Sequence, residues 1–252
     1  RAWLLGRPLG DRDAKRKIGF LPELFRFHDW LSGEELLDLH GKLYGMSAAE
    51  RRRRIVEVLE LVGLASRGKD LVRSYSKGMQ QRVGLAQALL NDPSVVFLDE
   101  PTSALDPVGR LEVRTIIRAL RDDGKTVFLN SHMLSEVEMV CDRVAIINRG
   151  HVAAIGTVHE LLRREPVVAL VVGETGADLH RLLAPHGDVR SIERTGNRIA
   201  AHVTVSDDDA IATVVEDLVR AGVPVYAVTQ QGPTLEELFF EIVSADERET
   251  PR

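Results

Sequence analysis

Two adjacent carboxylates, Asp99 and Glu100, close the apolar run Val95-Val96-Phe97-Leu98 and are followed at once by Pro101. A continuous apolar run of this kind reads as a strand covered on both faces. At the carboxyl edge of such a strand in an open α/β sheet ligands sit, and ionised carboxylates there call for a cation or hydrogen-bond donors. A metal ion meets that demand; so does water, if the strand merely ends in a solvated acidic turn. A second buried strand, Thr126 to Leu129, delivers Asn130-Ser131-His132 to the same edge. A lone histidine past a strand is more often structural than catalytic, and its position beside Glu100 is what gives it weight. Between the two runs lies Thr102-Ser103-Ala104-Leu105-Asp106, in which Asp106 with Pro107 has the residue types of a helix cap and first turn. Upstream, Tyr75-Ser76-Lys77-Gly78-Met79-Gln80-Gln81-Arg82 opens a helix with a hydroxyl, a cation and a glycine. Free backbone N–H groups and the positive helix end make an anion site there, although a Ser-capped helix needs no ligand to explain it.

The elements that must position these groups are legible in the apolar spacing. Trp3-Leu4-Leu5 is a strand-like stub ending at Gly6, and Ile18-Gly19-Phe20-Leu21 a short strand closed by Pro22. No capped element precedes them, so the chain is expected to begin in mid-domain. From 31 to 91 the period becomes 3.6: Ser32 with Glu35 and Ser47 with Glu50 have capping-box spacing and open two amphipathic helices that stop at Gly45 and Gly63. The run Arg51 to Arg54 reads as a solvated helix face, with i,i+4 pairs predicted for Glu50 with Arg54 and Arg53 with Glu57. A third helix runs from Ser76 to Leu90 and breaks at Asn91-Asp92-Pro93. Strand, helix from Pro107 to Gly124, strand then argues a parallel α/β sheet. A helix over Ser135 to Asp142 is expected to hold Cys141 as a small buried hydrophobe, and Arg143–Asn148 with His151–Ile155 form a hairpin across Arg149-Gly150. After about 165 the order becomes strand 167–172, helix 177–184, strand 188–194, strand 198–205, helix 208–221, strand 223–229, the β-α-β-β-α-β succession of a ferredoxin-like domain. A last helix, 234–243, carries Leu235, Leu238, Phe239 and Ile242 on one face, and a polar tail is expected from Ala245. His180, His186 and His202 are too scattered to form a metal site by spacing.

Composition narrows the classes of function. With 44% hydrophobic and 28% charged residues the 252-residue chain has ordinary globular composition, which excludes collagen-like, coiled-coil and disordered readings. The longest apolar stretch, Val167 to Val172, is far short of the roughly 20 residues that cross a bilayer. No charged-then-apolar leader opens the chain. A net charge of -5 gives no general pull toward nucleic acid, and the single Cys141 cannot form an internal disulfide.

In order and spacing, these motifs resemble the ATP-binding subunit of an ABC transporter, closest to the branch that powers ABC-2 type exporters of drugs or polysaccharides, over residues 18 to about 160. The resemblance implies an α/β fold, a P-loop NTPase-like ABC ATPase core with an inserted α-helical subdomain, followed by the C-terminal ferredoxin-like α+β domain. Residues 1–30 would be a remnant of the core with its Q-loop, and 31–91 the helical subdomain with the signature motif. Residues 92–165 would carry Walker B, D-loop and switch histidine, 166–245 the accessory domain, and 246–252 a disordered tail. It further implies ATP and Mg²⁺ as cofactors, a homodimer or ABC heterodimer, an integral membrane permease as partner, no nucleic acid, and a peripheral place on the cytoplasmic face of the membrane. By the same resemblance Asp99 holds Mg²⁺ through water, Glu100 polarises the attacking water, His132 stands near the γ-phosphate, and Ser103 to Asp106 form the D-loop. Ser76, Lys77 and Gly78 belong to the signature, which reaches the nucleotide of the opposite subunit. Glu23 stands where the family usually has Gln, which would give its Mg²⁺ or water contact a charge. The signature usually reads Leu-Ser-Gly-Gly-Gln; Tyr75, Lys77 and Met79 replace three of the five.

The motif G-x-x-x-x-G-K-[ST], whose amides and lysine cradle phosphates, is not found. In the sole Gly-Lys-Thr, Gly124-Lys125-Thr126, the first glycine of the motif would fall at Ala119, and the tripeptide stands between helix and strand, so Gly124 is a helix stop. The resemblance therefore implies a member without its N-terminal Walker A segment. A lysine and three amides at about 1.5 kcal/mol each sum to about 6 kcal/mol, against about 8 kcal/mol for micromolar binding, so poor ATP binding in its own site is expected. Two other readings stay open: a non-hydrolysing regulatory or structural partner that lends only Ser76 and Gly78, and a soluble ABC ATPase with no permease.

Overall fold

The computed structural model describes residues 2–24, 26–162, 167–232 and 234–249, and its contacts divide the chain into two compact units, Arg1–Cys141 and Asp142–Arg252. The division falls ahead of the limit at 165 read from the sequence. No helix among the described residues is long and apolar enough to cross a membrane.

The first unit opens with a two-residue ladder, β1 (Trp3–Leu4) and β2 (Arg7–Pro8), then α1 (Arg12–Lys15) and β3 (Ile18–Leu21). Helices α2 (Gly33–Leu43) and α3 (Ala48–Leu61) start where Ser32 and Ser47 accept the N–H of Glu35 and Glu50; Glu35 returns the bond to Ser32, completing the first predicted box, whereas the second, at Ser47 and Glu50, forms only its first bond. Then come α4 (Lys77–Leu89), β4 (Val95–Asp99), α5 (Pro107–Asp122), β5 (Thr126–Asn130) and α6 (Leu134–Val140). Strands β3, β4 and β5 run parallel in that order, pairing Leu21 with Leu98 and Asp99 with Asn130. One face of the sheet, with Leu21, Val96 and Leu98, joins a single core with Leu36, Val83, Leu85 and the Val113, Ile116, Ile117 stripe of α5. Gly19 lets α4 approach β3 closely: a Cβ there would meet the Ala88 carbonyl.

Three expectations need correction. The sheet is not covered on both faces by the described residues: Phe20, Phe97 and Phe128 lie in register on the other face, Phe20 and Phe128 55% and 62% exposed. Arg54 does not pair with Glu50; it binds Glu57 and donates to the Leu89 and Leu90 carbonyls, because the C-terminal carbonyls of α4 lack helical donors. Arg53 does pair with Glu57, at 3.0 Å. Finally, α6 stops at Val140, and Cys141, half-buried against the core, caps it in an extended conformation.

The second unit begins with the hairpin β6 (Arg143–Asn148) and β7 (His151–Thr157), turning through left-handed Arg149 and Gly150, and a short α7 (Val158–Leu161) boxed by Thr157 and Glu160. Then follow β8 (Val167–Gly173), α8 (Leu179–Leu183), β9 (Val189–Thr195), β10 (Arg198–Thr204), α9 (Asp208–Arg220) and β11 (Val225–Gln231). The four strands are antiparallel in the order β11-β8-β10-β9, the ferredoxin-like arrangement expected, with Val168, Leu170, Ile199 and Val203 packed in one core with Leu183, Val214 and Leu218. Helix α10 (Leu235–Glu249) buries Leu235 and lies against β6. It runs past Ala245, where a tail was expected, since alanine, glutamate and arginine sustain a helix.

Candidate functional site

The site is built where β4 and β5 end. Parallel pairing in register brings Asp99 level with Asn130, and the Asn130 Nδ2 donates to Asp99 Oδ1 at 2.7 Å. One residue on, the chain leaves the strand through Glu100 in the left-handed region, φ 49°, a conformation that costs a side-chain-bearing residue roughly 1–2 kcal/mol. It persists where surrounding bonds over-determine it. The Glu100 N–H donates to Asn130 O at 2.9 Å, and its carbonyl accepts from Ser103 Oγ at 3.1 Å, Ser103 N at 3.3 Å and Gln81 Nε2 at 3.2 Å.

Those bonds aim the carboxylate at the loop after β5. Glu100 Oε1 accepts the His132 backbone N–H at 2.8 Å and lies 2.8 Å from His132 Nδ1. Among the described residues Oε2 has only the Ser131 hydroxyl, at 3.5 Å. The Glu100 residue is 7% exposed, whereas the His132 side chain is 73% exposed. One carboxylate oxygen is thus committed to the histidine and the other keeps acceptor capacity at the sheet edge, which suits it to orient and deprotonate a water.

Among the described residues, no hydrogen bond or ion pair joins Ser76, Lys77, Gly78, Asp106 or Glu23 to the Glu100 carboxylate. Ser76 accepts the Met79 N–H at 3.2 Å, capping α4, and Ser76 and Lys77 are exposed. Gly78 is close-packed, since a Cβ there would stand 3.3 Å from Leu105 Cδ2. Asp106 caps α5 by accepting the Gly109 N–H at 2.7 Å, as its residue type predicted. Glu23 lies exposed two residues beyond β3, with no hydrogen bond or ion pair among the described residues. No group of three or more His, Cys, Asp or Glu side chains among the described residues could hold a metal ion by itself. A separate cavity of about 270 Å³ opens beside β3, lined by Phe20, Leu36, His28, His40 and Gln87 among others, and burial, with neighbouring His28 second, lowers the pKa of His40.

Three contributors went unread in the sequence. Asn130, Ser131 and Gln81 are ordinary polar types, and nothing in their spacing says that they meet Asp99 and Glu100. Only the strand register and the packing of α4 on the sheet bring them in.

Comparison with known proteins gives this geometry a family. Residues 2–103 match the family "ABC transporter", and residues 156–243 match "ATP-binding protein DrrA1-3-like, C-terminal domain". The daunorubicin resistance ATP-binding protein DrrA3 of Streptomyces coeruleorubidus is 36% identical over 92% of this chain and 74% of its own length. The chain belongs to the ABC transporter ATP-binding protein family. An uncharacterized ABC transporter ATP-binding protein of Synechocystis sp. is 53% identical, but over 64% of this chain and 46% of its own length, and a Nostoc relative is covered to 48%, so the match spans about half of these two proteins. Among solved structures, an ATP-binding subunit of an ABC transporter superposes with TM-score 0.57 at 31% identity, covering 63% of this chain and 67% of its own. A dimeric ATP-binding cassette in a post-hydrolysis state with ADP and Pi gives TM-score 0.53 at 29% identity, covering 59% and 68%. Family membership makes the α/β core an ABC ATPase cassette, a P-loop NTPase fold, and accounts for the second, ferredoxin-like unit.

Proposed function

We propose that this protein hydrolyses ATP to drive export through a separate integral membrane permease, working at the cytoplasmic face of the membrane. The observation that carries it is the Glu100 carboxylate, held by His132 through one oxygen and left able to accept a proton through the other. Glu100 orients the attacking water and takes its proton; His132, through its remaining ring nitrogen, stands by the transferred phosphoryl group. Asp99 supplies a carboxylate that would hold Mg²⁺ through water and is itself kept in place by Asn130.

The donor set fits Mg²⁺, which takes one or two carboxylates and completes its octahedron with phosphate oxygens and water. Asp99 is the carboxylate proposed to hold the ion through water, and Glu23, on the loop after β3, is the second. When bound, the ion neutralises charge on the β- and γ-phosphate oxygens. The N-terminus of α4, with Ser76, Lys77 and Gly78, offers backbone N–H groups and a cation to a phosphate, and Ser103 to Asp106 line the edge between the two motifs. The dimeric ADP-bound cassette supports a dimer; the pair proposed is a head-to-tail homodimer or ABC heterodimer in which these groups serve the opposite subunit's nucleotide. The daunorubicin relative supports a drug-like cargo. Asp99, Glu100 and His132 together weigh against a subunit that only lends its signature helix, since such a subunit has no need of all three.

Phosphate release by the protein as its gene encodes it tests the assignment. Glu100→Gln keeps the shape and removes the base, and is expected to lower turnover by roughly 10²- to 10⁴-fold. Unchanged turnover overturns the assignment.

A further inference from the structure

We propose that Gln81 is a positioning residue that holds the Glu100 peptide in its left-handed conformation and ties it to the N-terminus of α4. The inference rests on the hydrolytic role of Glu100 proposed above.

Gln81 is 2% exposed. The other buried residues of α4 are Val83, Gly84, Leu85, Ala86, Ala88 and Leu89, all apolar or glycine. An amide at such a position is unfavourable unless it is hydrogen-bonded, and a leucine or methionine would fill the same volume at no polar cost. What the amide does is reach across to another element: its Nε2 donates to the Glu100 carbonyl at 3.2 Å, 19 residues away in sequence. The two further donors to that carbonyl, Ser103 N and Oγ, belong to the same turn as Glu100 and move with it. Gln81 is therefore the donor that fixes the turn to the helix layer beneath it.

The consequence is a short mechanical path. Gly78 lies within one helical turn of Gln81 on the same rigid helix, and Ser76, the N-cap, lies about one and a half turns away. An anion seated at the α4 N-terminus is linked through that turn to the Gln81 amide, the Glu100 peptide and the carboxylate beside His132. Without the amide, the turn loses its bond to α4 and is held by Asn130, Ser103 and His132, and relaxation of Glu100 toward ordinary φ shifts the carboxylate away from the His132 N–H. A displacement of an ångström at a reacting group costs on the order of a hundredfold in rate.

The test uses Gln81→Met, which keeps the bulk and removes the donor, with Gln81→Asn, which draws the donor back, as the second variant should the first fail to fold. Steady-state phosphate release is measured on the protein as its gene encodes it, together with the backbone carbon shifts of Glu100 and the amide shift of His132, which need no turnover. The expected result is an unfolding midpoint close to the parent's, moved Glu100 and His132 signals, and kcat lowered about ten- to a hundredfold with KM unchanged. A folded variant in which those signals stay put overturns the proposal, and so does one in which they move while kcat does not. Failure of the hydrolytic assignment shows elsewhere, as full turnover in Glu100→Gln.

Discussion

Gly19→Ala puts the packing of the signature helix to the test. Read from the sequence alone, a glycine inside a strand is a weakness, and alanine should gain roughly 0.5–1 kcal/mol. The structure reverses the sign. A Cβ at 19 would overlap the Ala88 carbonyl oxygen and stand 3.0 Å from both Ala88 C and Pro93 Cγ. Two of those atoms are backbone at the end of α4 and the third is a ring, so none can swing aside, and α4 must retreat from β3 by roughly an ångström. Overpacking of this kind costs typically about 1–3 kcal/mol. The upper end is expected here, because the clash is with backbone. At about 2–4 °C per kcal/mol for a chain of this size, Tm falls by roughly 6–12 °C. Both tryptophans, Trp3 and Trp30, lie in the first unit, so their fluorescence during guanidinium unfolding reports that unit alone. Gly45→Ala is the control: its φ is 78° with nothing within 4 Å of the added carbon, so it bears only the left-handed penalty of about 1–2 kcal/mol. The retreat of α4 also stretches the 3.2 Å Gln81–Glu100 bond, so the Glu100 signals should move in Gly19→Ala and stay fixed in Gly45→Ala. A Gly19→Ala protein as stable as the parent would refute the close approach of α4 and, with it, the route by which Gln81 reaches Glu100.

Two further outcomes are expected. Asp106→Ala removes the acceptor of the Gly109 N–H and should cost about 0.5–2 kcal/mol in the same fluorescence assay, with most of the loss recovered by Asp106→Asn. The depressed pKa of His40 means that the unfolded chain binds a proton there more readily than the folded one, so stability is full above its ordinary value of 6.5 and is lost as pH falls below it. Urea midpoints of the first unit should therefore drop between pH 7.5 and 5.5, and less steeply in His40→Gln; identical slopes would show that burial of His40 is not the cause.

Much of the protein was legible before any coordinates. Capping chemistry is local, so Ser32 with Glu35, Ser47, Ser76 and Asp106 announced their helices, and each makes the bond its type predicted. The β-α-β-β-α-β order of the second unit was equally readable, because a period of two or of 3.6 survives in a single sequence. Asp99, Glu100 and His132 could be picked out because each follows an apolar run that only a strand explains. Misreadings came where partners compete. Arg54 had Glu50 in reach along its own helix and was taken by the open carbonyls of α4, and α10 continued where polar composition suggested fraying.

Residue types and local spacing by themselves determined which groups stand at the carboxyl edge of the sheet, since that follows from where each strand must stop. Tertiary structure alone decided how they face one another: the pairing of β4 with β5 sets Asn130 against Asp99, the left-handed turn at Glu100 swings its carboxylate onto His132, and α4, let in close by Gly19, carries Gln81 to the Glu100 carbonyl. Hydrogen bonds between residues 19 to 32 positions apart depend on strand register and helix packing, and neither leaves a periodic mark in the chain.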